Sequence, residues 1–228
     1  MFSDEFEYTG ESFDVGDVEF LAPVRPRVVL GMAHNGSAAD RQLPPQAFFK
    51  SARTVCGPND DIVLDDNIGT VNVEGELVVV IGRTCRHLVP GQSRQHILGY
   101  TIANDVTSVD QIGFGGTLLQ AKNGEGYTPL GPWIETAADP ASLEITLLVR
   151  GVTVARAATS ELAWRIDEQL VYLSSHLELG PGDVLLTGAP GTFAAVRPGD
   201  DVEIMLEGIG SLRNPVVRGR ARAAPPLP

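Results

Sequence analysis

Cysteine and lysine are the scarce residues of this chain. Cys56 and Cys85 are the only thiols in 228 residues, and they form neither a C-x-x-C spacing nor a His/Cys group. That argues against a disulfide scaffold or a zinc module and leads us to expect a reducing, cytoplasmic setting. Lys50 and Lys122 are the only lysines; the other Lys/Arg-type cations are all arginine. No apolar run approaches the roughly 18–20 residues that cross a bilayer. The opening "MFSDEFEYTGESFD" is acidic, where a secretory leader would be basic and then apolar. Positive charge is short as well, giving a formal net charge of −12. Nucleic acid and anionic membrane are disfavoured as partners, because both require a basic face. An acidic substrate would also be repelled at long range, unless a bound cation or a local Lys or Arg offsets the field.

What is present suits a folded globule. Hydrophobic residues make up 43% and charged residues 20%, enough to bury a core. The spacing predicts a short N-terminal segment over 1–27, a main domain over 28–220 and a tail over 221–228. "DVEFLAPVRP" suggests one strand, "RVVLGMAHNG" a buried strand, and residues 35–47 a surface loop. "ELVVVIG" and "GYTIANDV" read as strands, with a short helix between them capped by Ser93. Residues 109–133 are too glycine-rich for one regular element. "LEITLLVRG" and "VTVARAA" read as a hairpin. In "SELAWRIDEQLVYLSSHLEL", Leu162, Ile166, Leu170, Leu173 and Leu177 recur at helical spacing, predicting an amphipathic helix from an N-cap at Ser160 to Gly180. Two Pro-Gly-Asp turns then open two further strands. Many β segments, one good helix and no βαβ alternation give a β-rich α+β class.

The first chemical signal is "VNVEGELVVVIG". Glu74 and Glu76 are two apart, so on a strand they point the same way, about 6–7 Å apart. Asp105 follows the apolar strand "GYTIAN" where the pattern turns polar. Buried acids are costly singly, yet three converging carboxylates suit a hard divalent cation.

Five ordered stretches, "VEGELVVVIG", "GYTIANDVTSVDQ", "AKNGEGYTPLGPW", "LGPGDVLLTGAP" and "VEIMLEGIGSLRNPV", resemble the fumarylacetoacetate hydrolase family over about residues 27–217. The likeness is to its small single-domain members. It implies a mixed β-sandwich roll, a homodimer, and Mg²⁺ or Mn²⁺ held by Glu74, Glu76 and Asp105. It also implies that Lys122 contacts substrate oxygens beside the metal. Gln111, Thr187 and Gly188 would be further substrate contacts, with Ala189 replacing the second threonine of the family's T-G-T-P. Substrates would be small 1,3-diketo or 2-oxo acids.

Three departures accompany the likeness. Hydrolytic members carry a His–Glu pair in a lid; here His34 is the only histidine of the matching region, and Asp40 is the nearest downstream acid. Val109 stands where the family commonly has an arginine, and "NGE" at 123–125 replaces Ser-Phe-Asp. The first expectation is a metal-dependent hydrolase that cleaves a C–C bond through an enolate, with His34 as base and Lys122 stabilising charge. An isomerase or decarboxylase of 2-oxo or 2-hydroxy-dienoic diacids is the alternative. A family member that binds a small acid without turnover is the reading from another class.

Overall fold

The computed structural model describes residues 9–219. The expected tail at 221–228 and the first eight residues of the N-terminal segment lie outside the described residues. In chain order the strands are β1 (Val29–Ala33), β2 (Gln46–Lys50), β3 (Val55–Cys56), β4 (Ile62–Leu64), β5 (Val71–Ile81), β6 (Ile97–Asn104) and β7 (Thr107–Ser108). After them come β8 (Thr128–Glu135), β9 (Glu144–Val149), β10 (Val152–Ala158), β11 (Val184–Leu186), β12 (Phe193–Val196), β13 (Asp201–Leu206) and β14 (Gly210–Arg218). Two α-helices accompany them, α1 (Leu119–Lys122) and α2 (Ile166–His176). The β-rich α+β class and the mixed sandwich roll are what the chain forms.

The larger sheet runs β2-β1-β11-β5-β6-β8-β3, with β7 and β12 also paired to β5; the smaller runs β10-β9-β13-β14-β4. The edge strands β2 and β3 are consecutive in sequence, separated only by residues 51–54, which include a 3-10 turn at Ala52–Thr54. So short a link draws the two edges of the larger sheet together and curls it into a roll.

β5 is the central strand, and its two faces do different work. Val71, Val73, Leu77, Val79 and Ile81 enter the large core between the sheets, while Val78 and Val80 line a smaller apolar cluster inside the roll with Val29, Ala103, Leu130 and Leu186. This is the period-2 alternation of a strand buried on both faces. Gly75 lies where the second sheet approaches: a Cβ there would stand 3.1 Å from Ile204 and 3.4 Å from Ile145. Glu74 and Glu76 therefore face the inside of the roll, beside the smaller cluster.

Several local expectations are corrected. "DVEFLAPVRP" forms no strand: a 3-10 turn covers Val15–Asp17 and the rest is irregular, since Pro23 and Pro26 lack the N–H a ladder needs. The loop at 35–47 contains a 3-10 turn at Ala38–Gln42, and its end is already β2. Ser93 lies inside a 3-10 turn capped by Gln92; its hydroxyl donates to Asp167 at 2.6 Å, tying that turn to α2. The amphipathic helix is shorter than its periodicity predicts. Ser160 is not its cap, because Trp164 is held outside the helix by the Asn35 side chain, which accepts its N–H at 2.6 Å. The helix begins at Ile166, with Glu168 accepting the Arg165 N–H at 2.8 Å. It ends at His176, because Leu177 is already extended at φ −139°, ψ 159°. Leu170 and Leu173 still enter the main core, so the apolar face was real though its ends were not.

Candidate metal centre

Strand pairing assembles the three acids. β5 and β6 are antiparallel with Gly75 opposite Asn104 and Glu76 opposite Ala103, so Asp105 leaves the end of β6 beside the two glutamates. The Asp105 N–H donates to the Glu74 carbonyl at 2.9 Å, and the Glu74 N–H donates to the Asn104 side chain at 3.0 Å. One carboxylate oxygen from each of Glu74, Glu76 and Asp105 lies within 4.8 Å of the others. Glu76 and Asp105 are each 1% exposed, whereas the Glu74 side chain retains 20%. Glu74 thus forms the open side.

Each acid has fixed partners. Thr107 Oγ1 donates to Glu74 at 2.6 Å, and the Gly188 N–H donates to Glu76 at 2.7 Å. Lys122 Nζ donates to Asp105 at 2.6 Å and to Glu74 at 3.2 Å. It also sits 4.9 Å above the Phe48 ring, an arrangement that favours a cation. Asp105's other oxygen accepts from Lys50, whose Nζ also donates to the Tyr127 carbonyl at 2.7 Å. Lys122 is therefore a buried member of the site rather than an ordinary surface lysine.

The electrostatics divide the acids. Burial drives Glu76 well above the usual carboxylate range, and the charges of Asp105 and Glu74 push the same way. Glu74 is raised by burial and Asp105, against the pull of Lys122. Burial would raise Asp105 too, but the ammonium groups of Lys122 and Lys50 outweigh it and hold Asp105 below its ordinary value. The lysines diverge: burial lowers Lys50 despite Asp105, while Asp105 and Glu74 overcome burial and raise Lys122.

This donor set fits a hard divalent cation. It is all carboxylate oxygen and inward-facing, and a carboxylate oxygen has a second lone pair even where one ammonium is already bound. Without a cation two of the three acids are pushed toward protonation, which is the response of like charges gathered out of water.

The other expected site residues lie around this centre at differing removes. Thr187 is buried with its hydroxyl donating to the Leu77 carbonyl at 2.9 Å, so it fastens the turn to β5. Gly188 reaches the centre through its backbone. His34 is exposed, with φ 51°. Asp40 accepts from the backbone of Gly36 and Ser37 at 3.0 and 2.9 Å, capping its own turn rather than pairing with His34. Gln111 is half-buried in a 3-10 turn at Val109–Phe114; among the described residues it makes no hydrogen bond to the acids. Val109 heads that turn and donates its N–H to the Thr70 carbonyl at 2.8 Å.

Sequence reasoning passed over Lys50, Thr107 and Phe48. Lys50 had one signal, its rarity as one of only two lysines in the chain; that it meets Lys122 at Asp105 is visible only in the fold. Phe48 had a fainter one in Gly31, its cross-strand partner, where a Cβ would come within 2.3 Å of the ring.

Comparison with known proteins places these observations in a family. The family model for the fumarylacetoacetate (FAA) hydrolase C-terminal domain matches residues 26–217. The crystal structure of 5-carboxymethyl-2-hydroxymuconate delta-isomerase from Mycobacterium smegmatis is 39% identical with a TM-score of 0.88, covering 92% of this chain and 86% of that one. Maleylpyruvate hydrolase from Sphingobium sp. SYK-6 is 29% identical with a TM-score of 0.80, covering 90% and 76% respectively. The mitochondrial oxaloacetate tautomerase FAHD2A of Bos taurus is 34% identical over 220 residues, or 88% of this chain and 70% of its own.

Proposed function

The chain belongs to the fumarylacetoacetate hydrolase family, and on that premise we propose that it is a divalent-metal-dependent isomerase that relocates a proton and a double bond in a small 2-oxo acid. Glu74, Glu76 and Asp105 would hold Mg²⁺ or Mn²⁺. The chemistry a dication supplies at such a site is polarisation of the 2-oxo group, which makes the adjacent C–H acidic. Lys122 places an ammonium beside the same carboxylates, where it stabilises oxyanion charge. Thr107, the Gly188 N–H and Lys50 fix one acid each. Three carboxylates against two ammonium groups leave one net negative charge, and a dication turns that into one net positive charge. This local sign offsets the −12 of the whole chain and favours a small carboxylate as ligand.

The observation that carries isomerisation over C–C hydrolysis is the engagement of Asp40. Hydrolysis needs a base that activates water, and the acid nearest His34 in the sequence is spent on its own turn. Proton relocation needs no attacking water: the proton leaves the activated carbon to solvent, and a solvent proton is returned at the other end of the shifted double bond. One feature favours hydrolysis as a second reading: the non-glycine residue His34 lies in the left-handed region beside Asn35, and such backbone is concentrated at functional sites. Free thiols at Cys56 and Cys85 support a cytoplasmic setting, and a homodimer, to be checked by sedimentation, is part of the same proposal.

The test is product analysis by NMR with Mn²⁺ or Mg²⁺ and a panel of oxaloacetate, an acylpyruvate, fumarylacetoacetate and an unsaturated 2-oxo diacid. A shifted double bond, or keto–enol interconversion faster than in the metal ion alone, without cleavage is the expected result. Cleavage into two acids would put hydrolysis in its place, and loss of CO₂ would point to the decarboxylase.

A further inference from the structure

The peptide unit joining Thr187 to Gly188 presents its two ends to different parts of the molecule. Its N–H, on Gly188, donates to Glu76 at 2.7 Å. Its carbonyl, on Thr187, accepts from the Asn35 side-chain amide at 2.7 Å and from Gln169 at 3.4 Å. Because a peptide unit is planar and its C=O and N–H point in opposite directions, whatever holds the carbonyl also aims the N–H.

Asn35 is built for that task. It is 2% exposed, and its amide makes three hydrogen bonds: Oδ1 accepts the Trp164 N–H at 2.6 Å, while Nδ2 donates to the Thr187 carbonyl and to the Trp164 carbonyl at 3.2 Å. It also packs directly on the turn, since a Cβ at Gly188 would stand 2.9 Å from the Asn35 Cβ. Gly188 has φ +104°, and glycine tolerates either sign of φ. With no Cβ at 188 to fix φ, the orientation of the Thr187–Gly188 peptide is set by its hydrogen bonds. Flipping would turn a carbonyl oxygen toward Glu76 and remove its N–H donor.

We infer that Asn35 is a positioning residue that locks this peptide so that Gly188 donates to Glu76, coupling the loop after β1 and the start of α2 to the candidate metal centre. A donor at the carbonyl also polarises the peptide and strengthens its N–H as a donor. The peptide lock stands on this geometry alone; its effect on metal uptake rests on Glu76 being a ligand, as proposed above.

The test uses the full chain with Asn35→Ala and the near-isosteric Asn35→Asp, which keeps the acceptor for Trp164 but loses both donors. Arg41→Ala is the control, because Arg41 lies on the same loop and pairs with Glu168 and the Trp164 ring without touching the peptide. Two quantities are read: the Gly188 amide proton shift by ¹⁵N NMR and Mn²⁺ affinity by calorimetry. We expect both Asn35 variants to move the Gly188 resonance upfield and weaken Mn²⁺ binding by about 10–100-fold, the usual effect of losing a group that orients a ligand. Arg41→Ala should leave both unchanged. If Asn35→Ala does not fold, Asn35→Asp alone decides. A lowered melting temperature with an unmoved Gly188 resonance would overturn the inference, as would an equal response from Arg41→Ala. If the unaltered chain takes up no Mn²⁺, the metal reading fails and the Gly188 resonance still judges Asn35.

Discussion

Lys50 and Asp105 meet where the larger sheet closes on itself: the ammonium at the end of β2 donates to the carboxylate just past β6. Both side chains are almost completely buried. The contact couples the closure of the roll to the formation of the acidic centre, since Lys50 also holds the Tyr127 carbonyl. Removing Lys50 takes away one of Asp105's two ammonium partners and leaves Lys122 as the other. Lys50→Met should therefore destabilise the fold by about 1–3 kcal/mol, the cost of leaving buried acceptors without their donor, read by urea denaturation. A loss below about 1 kcal/mol would show the pair to be dispensable.

Glu76 carries the opposite expectation. Burial and two like charges disfavour its ionised form, so Glu76→Gln should raise the melting temperature of the metal-free protein, by roughly 2–4 °C for each kcal/mol relieved. The same substitution should abolish tight Mn²⁺ binding. Unchanged affinity would remove Glu76 from the centre.

The pH response follows from these shifts. Glu76 and Glu74 are raised in the folded chain, so without metal their cost is present at neutral pH and is relieved as pH falls toward their ordinary value of 4.5. Asp105 is depressed, so its contribution is present above its ordinary value of 3.8 and is lost below it. Metal-free stability should rise on mild acidification and then fall. Mn²⁺ binding should release protons and weaken with acid, because the glutamates must be ionised to bind. Melting curves against pH, with and without Mn²⁺, check both signs.

Gly31 lies flat beneath Phe48, whose ring in turn faces Lys122. Gly31→Ala should displace the ring and cost about 1–3 kcal/mol by overpacking, measured by thermal unfolding. No change in stability would mean that the ring moves freely.

Much of this was legible in the chain. The alternation around Glu74 and Glu76 set their common direction, and the polar turn after "GYTIAN" marked Asp105. The hairpin at 144–158 follows from its Arg150-Gly151 turn, where both residues have positive φ. What the sequence concealed depends on contacts distant along the chain. Lys50 reaches Asp105 across 55 residues and Asn35 reaches Trp164 across 129; the second contact is also what shortens the predicted helix. Periodicity reports which face of an element is buried, and it carries no record of a side chain that claims the element's first N–H.

The most direct test of the central claim is solvent deuterium exchange at the carbon beside the 2-oxo group, followed by NMR with oxaloacetate and Mn²⁺ and compared between the unaltered chain and Glu76→Gln. Non-enzymatic exchange in Mn²⁺ alone is subtracted. We expect protein-catalysed exchange without cleavage that disappears in Glu76→Gln. Exchange that persists in Glu76→Gln, or Glu76-dependent cleavage into two acids, would contradict it.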